Sequence, residues 1–269
     1  MRRLRHVIAV CLLLAGTPAS AADRKDPLDR ARQLYNQGEF DAAIVAADEA
    51  RRLPDRADSA DLIAARAYLE RSRATLSADD LAKARERLLR INPQKFTSRE
   101  RIELLVGYGE ALYFDDAVGA AAAIFESVLS TSGEASGELT VDARERVLDW
   151  WASALDRDAK PRAEIERRAV YQRIRDRMND ELAANPASAT ASYWSAAAAR
   201  GQGDLQGAWD AAAAGWVRSP LAAGRAALLR EDLDQLVNRA IVPERARVLG
   251  QPPETLLADW ERFKERWGR

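Results

Sequence analysis

PLDRARQLYNQGEFDAAIVAADEARRLP, residues 27–54, decides the fold. It reads as a helix, a turn at Gly38, a second helix and a stop at Pro54. Glycine supplies the backbone freedom that a tight turn between helices needs. Ala31 and Ala43 put one small residue on each helix. Leu34, Phe40, Ala47 and Ala50 are left to pack between neighbouring helices.

The pattern returns twice. Residues 102–129 read IELLVGYGEALYFDDAVGAAAAIFESVL, and residues 192–220 read SYWSAAAARGQGDLQGAWDAAAAGWVRSP. Gly109 and Ala121 stand in the second segment, and Ala196 and Ala208 in the third, as Ala31 and Ala43 do in the first, with Gly203 at the third turn. All three segments resemble the tetratricopeptide repeat (TPR), a helix pair built on a 34-position frame. In that frame Ala31, Gly109 and Ala196 fall at position 8, and Ala43, Ala121 and Ala208 at position 20; the resemblance implies that the two helices cross closely there, so that only Gly, Ala or Ser fits. There are departures. Arg30 takes an apolar position, Pro54 comes one place early, and Gly133 stands where proline is expected. The copies are not spaced by multiples of the repeat. An irregular helix pair fits each gap: about 58–75 with 79–91, closed by Asn92-Pro93, and about 139–157 with 161–184, closed by Asn185-Pro186. Pro161 suits a helix start and the later prolines a stop.

Beyond residue 220 the chain continues as helix. Leu228, Leu229, Leu233, Leu236 and Val237 form an apolar stripe over 221–238, 243–249 add a short turn, and Pro252-Pro253 precede an amphipathic helix over 254–267. Such a tail caps the exposed end of a repeat array. The expected fold is all-α: a right-handed α-α superhelix, a TPR-like solenoid of helical hairpins with C-terminal capping helices. Its divisions are 1–21, a signal peptide; 22–135, N-terminal repeats; 136–220, an irregular pair and a C-terminal repeat; and 221–269, capping helices.

The leader rests on Arg2, Arg3 and Arg5, the apolar run Val7 to Ala15, and small residues at Ala19-Ser20-Ala21. That three-part order marks an exported protein cut near Ala21, periplasmic or secreted. The apolar run is shorter than the roughly 20 residues a spanning helix needs. Cleavage removes the only histidine, His6, and the only cysteine, Cys11. The mature chain then has no Ser-His or Cys-His nucleophile pair, no Cys/His zinc site and no disulfide. Loss of three arginines leaves 38 basic residues against 42 acidic, a balance unlike that of a nucleic-acid binder. A hydrophobic content of 47 % places the chain among folded proteins rather than disordered ones.

The resemblance implies a non-catalytic interaction scaffold or adaptor of the cell envelope. It would bind a protein or peptide on its concave face, with no cofactor, no metal, no nucleic acid and no integral membrane insertion of the mature chain. Concave positions of the first helices map to Arg32, Tyr35 and Asn36, to Glu110, Tyr113 and Phe114, and to Tyr193 and Arg200. Five of the seven tryptophans (194, 209, 216, 260 and 267) crowd the C-terminal part. They fill gaps between Ala-rich helices, or they form an aromatic groove. On the groove reading the protein binds cell-wall polymer or assembles with itself. The Arg-rich segment 166–181 interleaves acids at helix spacing, as a solvated face does. Glu126-Ser127 superficially resembles the catalytic Glu-Ser of lytic transglycosylases but lacks the rest of that motif. A carboxylate-only enzyme would need a deep cleft holding two acids with raised pKa.

Overall fold

Short polar side chains set six of the helix starts among the described residues. The computed structural model describes residues 26–131 and 139–268, so the leader through Ala21 and Gly133 lie outside the described residues. No strand occurs among the described residues. Asp26 accepts a hydrogen bond from the Leu28 amide and Pro27 opens α1 (Pro27–Asn36), leading through Gly38 at φ +80° to α2 (Phe40–Ala50). Then come α3 (Ala57–Thr75), α4 (Ala78–Arg90, capped by Ser77) and α5 (Ser98–Phe114). At the start of α5, Thr97 and Glu100 bond each other's backbone amides in a capping box. Helices α6 (Val118–Thr131), α7 (Val141–Ala159), α8 (Glu164–Ala184), α9 (Ala189–Gly201) and α10 (Leu205–Arg218) follow. Thr140, Ser188 and Asp204 cap α7, α9 and α10.

The helices pack in a regular way. From α1 to α11 each helix packs on its successor. In addition α1 touches α3, α3 touches α5, and the row continues through α7 and α9 to α11. Among the described residues, α2, α4, α6, α8 and α10 form no comparable row. The odd-numbered helices therefore make one continuous layer, with the even ones set behind it.

Buried apolar clusters follow the same order. Leu28, Ala31, Ala46, Ala60 and Ile63 join α1 to α3. Leu62, Leu69, Leu88, Phe96 and Leu104 join α3 to α5. Val106, Phe125, Leu148, Trp151, Ile174 and Trp194 run from α5 to α9, and Ala208, Leu233, Ile241 and Trp260 fill the C-terminal part. The small crossing residues Ala31, Ala43, Ala121, Ala196 and Ala208 are fully buried. Gly109 lies against Phe125 so closely that an added Cβ would stand 2.6 Å from the ring.

The C-terminal part departs from expectation. Helix over 221–238 begins only at α11 (Ala226–Leu236). Residues Ser219–Arg225 form 3₁₀ turns instead: Pro220 constrains the start, and Ala223, at φ +47°, kinks the segment out of helical geometry. The separate turn at 243–249 is instead α12 (Val242–Leu249), continuous with α11 through a wide π turn at Val237–Ile241. Pro243 explains the widening: it has no amide to donate and its ring would crowd the carbonyl one turn back. The last helix, α13 (Pro253–Trp267), stands as expected. Pro161 does not open a helix; it sits in a turn, and extended Ala163 precedes α8. Pro93 opens a short 3₁₀ turn, Pro93–Lys95, beyond the end of α4.

Candidate functional site

The odd-helix layer carries polar residues that its neighbours do not fully satisfy. Arg66 comes from the middle of α3, flanked in LIAARAYLE (62–70) by apolar residues on both sides. Glu103 and Glu110, seven residues apart on α5, share one helix face with Val106 between them. Arg146 and Trp150, four apart, face the same way from α7. Arg32, Tyr35 and Asn36 close the arrangement from the last turns of α1. Together they surround a cavity of about 270 Å³, walled on its apolar side by Ile102, Val106, Val147 and Trp150.

At its floor, Arg66 Nη2 lies 3.9 Å from Glu110 Oε1, close enough for attraction and too far for a hydrogen bond. The guanidinium lies 5.2 Å from the centre of the Tyr35 ring. Its Nε is buried with no hydrogen-bond partner. Glu110 is only 4 % exposed. Burial pushes its carboxyl up to about 7, against the pull of Arg66, so near neutral pH it exists both with and without its proton. Burial likewise pushes the Tyr35 phenol up to about 12, keeping it a hydrogen-bond donor. The other charges differ in commitment. Arg32 bonds Glu100 at 2.9 Å and Arg99 bonds Glu103 at 3.0 Å. Arg146 is exposed at the rim and has no ion pair among the described residues.

Arg146 also borders a second, more open depression, formed with Arg73, Asp149, Tyr193, Arg225 and Asp232. Burial raises the Asp149 carboxyl, although the Trp194 indole N–H donates to it at 2.8 Å. Burial also raises that of Asp232. The two depressions thus meet at Arg146 on the layer of odd helices.

Four of the expected site residues, Arg32, Tyr35, Asn36 and Glu110, come together in the first cavity. Tyr113 and Phe114 do not line it; both pack edge-on against Trp150, 5.0 and 5.7 Å between ring centres, and so support its wall. Tyr193 borders the second depression. Arg200 lies further along α9, held by Glu244 at 3.1 Å. Sequence reading missed Arg66, Arg146 and Trp150 because α3 and α7 belong to the irregular pairs, where no repeat frame assigns positions. A lone arginine inside an apolar helix was the available signal for Arg66.

The C-terminal tryptophans mostly pack inward. Trp260 is fully buried, and Trp209 and Trp216 meet it edge-on at 5.5 and 5.8 Å. Trp194 is buried as well, while Trp267 is 53 % exposed. In the Arg-rich segment, Arg168 pairs with Glu164 and Arg177 with Glu181 along the helix. Arg173 reaches Glu126 on α6, and Arg175 reaches Asp204. The cavity holds the raised carboxyl of Glu110, and Glu103 beside it is bonded by Arg99. Among the described residues no group of three or more Asp or Glu side chains is placed to hold a metal ion, and no helix is long and apolar enough to cross a membrane. In comparisons with known proteins, no family model matches the chain and no curated protein matches it.

Proposed function

We propose that the chain is an exported TPR-like solenoid, a right-handed α-α superhelix, that binds a protein or peptide of the cell envelope without catalysing a reaction. The layer of α1, α3, α5, α7 and α9 would be its concave, partner-bearing face. One observation carries this reading: that layer gathers Tyr35, Arg66, Glu110, Arg146 and Tyr193 on one side of the chain, with the buried Nε of Arg66 unmatched and the exposed Arg146 in no ion pair among the described residues. A buried polar group without a partner is costly unless a ligand meets it, and an exposed cation at the rim is free to pair with an incoming charge. The inward packing of Trp209, Trp216 and Trp260 removes support from an aromatic groove for cell-wall polymer.

The test is capture from an envelope extract with residues 22–269 as bait, beside bait carrying Arg146→Glu. Arg146 is exposed, so the change leaves the fold intact. The expected result is one envelope protein retained by the first bait and lost, by roughly tenfold or more, from the second. Equal retention by both baits would move the partner to another face. Concentration-dependent self-association with no captured protein would instead favour a self-assembling structural protein. Export is checked separately: the mature N-terminus recovered from expressing cells should be Ala22, and an intact Met1 terminus refutes the leader.

A further inference from the structure

We infer that the cavity between α1, α3, α5 and α7 is a binding site for a carboxylate carried on an apolar body, with Arg66 and Arg146 taking the carboxylate. This goes beyond a scaffold function and does not depend on a protein partner.

Three observations converge on this. The first is unused hydrogen-bonding capacity. Arg66 has a buried Nε with no acceptor, and its nearest carboxylate stands at 3.9 Å, outside hydrogen-bond range. A guanidinium presents paired N–H groups that match the two oxygens of a planar carboxylate. Glu110, itself buried, forms no hydrogen bond that would fix it to Arg66. The second is charge. Four arginines and two glutamates line the cavity, and Arg32 and Arg99 are already satisfied, by Glu100 and Glu103. Arg146 at the rim is left without an ion pair among the described residues, so the site favours a single negative charge. A dianion such as phosphate suits it less, because Glu110 stands beside Arg66 and repels the second charge when ionised. The third is shape and lining. A volume of about 270 Å³ lies just below the range of small-molecule sites, roughly 300 Å³ and upward. Ile102, Val106, Val147 and Trp150 give the cavity an apolar lining beside the arginines. A ligand about the size of one or two amino-acid residues would bury its apolar part there while its carboxylate meets Arg66. With its proton on, Glu110 would donate to the same carboxylate; Tyr35, whose ring lies beside Arg66, lines the same cavity with a phenol that keeps its proton.

The carboxylate could belong to a free small acid or to the end of a peptide, and titration calorimetry on the purified full chain separates the two. The probes are N-acetyl-leucine, N-acetyl-leucinamide, inorganic phosphate and a tetrapeptide ending in leucine. N-acetyl-leucine should bind, and its amide should bind more weakly by roughly tenfold or more, since it loses a charge-assisted contact. Arg146→Met and Arg66→Met should each weaken the acid to a similar degree, while Arg168→Met, on the exposed side of α8, should not. Circular dichroism melts report whether Arg66→Met folds; if it does not, Arg146→Met at the rim decides alone. A tetrapeptide that binds as well as the acid assigns the site to chain ends, and one that does not assigns it to small acids; both outcomes uphold a carboxylate site. Equal binding of acid and amide, equal or tighter binding of phosphate, no binding of any probe, or acid binding unchanged by Arg146→Met would each overturn it. Failure of envelope capture would leave this result standing, because the calorimetry involves no partner.

Discussion

At the scale of single residues, Glu110 makes the sharpest prediction. Its carboxyl is pushed up to about 7 from an ordinary 4.5. In the pH window between those values the folded protein holds a proton that the unfolded chain has released. The group's contribution to stability is therefore fully present below about pH 4.5, falls as pH rises toward 7, and stays low above it. The loss is on the order of 3 kcal/mol. The charged and titratable groups facing Glu110 are Arg66, Glu70 and Arg73 on α3, the neutral Tyr35 phenol on α1, Glu103 on its own helix and Arg146 on α7. Denaturant unfolding of the protein and of Glu110→Gln at pH 5 and pH 7.5 checks this: the difference between the two proteins should change with pH in that direction, and a constant difference refutes it. Gly109 makes a second prediction. Alanine there gains about 1 kcal/mol of helix propensity, but its Cβ would meet Phe125 at 2.6 Å inside the core, at a cost of about 1–3 kcal/mol. Gly109→Ala should lower the melting temperature, while Gly119→Ala, where the Cβ finds only ordinary contact with Asp158, should not. The glycine was legible as a small crossing position. The raised carboxyl was not, because burial of Glu110 depends on α3 and α7 closing over it.

At the scale of elements, the sequence was most readable where polar caps and apolar spacing agree. The expected helix at about 58–75 is found at Ala57–Thr75, and the one at 79–91 at Ala78–Arg90. Thr97 with Glu100 caps α5 from both directions, so Thr97→Ala should cost about 1 kcal/mol. Thermal unfolding checks it, and a shift indistinguishable from zero would mean that α5 is held by packing alone. Readability failed around Pro220 and Pro243. Both prolines stop an ordinary helix locally, yet the chain uses them differently: a 3₁₀ turn ends at Arg225, while Pro243 rides in a helix that widens to admit it. The apolar stripe was correct in part: Leu229, Leu233 and Val237 are buried, whereas Leu228 is 62 % exposed, and spacing alone does not say which turn is tight and which is wide. The same limit hid half of the site: without a repeat frame for α3 and α7, nothing in the residue pattern aimed Arg66 and Arg146 at Glu110.

At the scale of the whole molecule, the buried clusters succeed one another along the chain, each shared by a few consecutive helices. Trp260, fully buried at the far end from Arg66, is the large ring around which the tail packs. Trp260→Ala should cost about 3–5 kcal/mol locally. Amide hydrogen exchange should then show lost protection in α11, α12 and α13, with α1 to α5 nearly unchanged. Uniform loss across the chain would refute this independence of the two ends. If the ends are independent, the protein is insulated against its own damage. A proteolytic nick, an oxidised ring or a deleterious substitution in the tail would shorten the chain's ordered length without silencing the cavity between α1 and α7, and selection could remodel either end while the other keeps its chemistry.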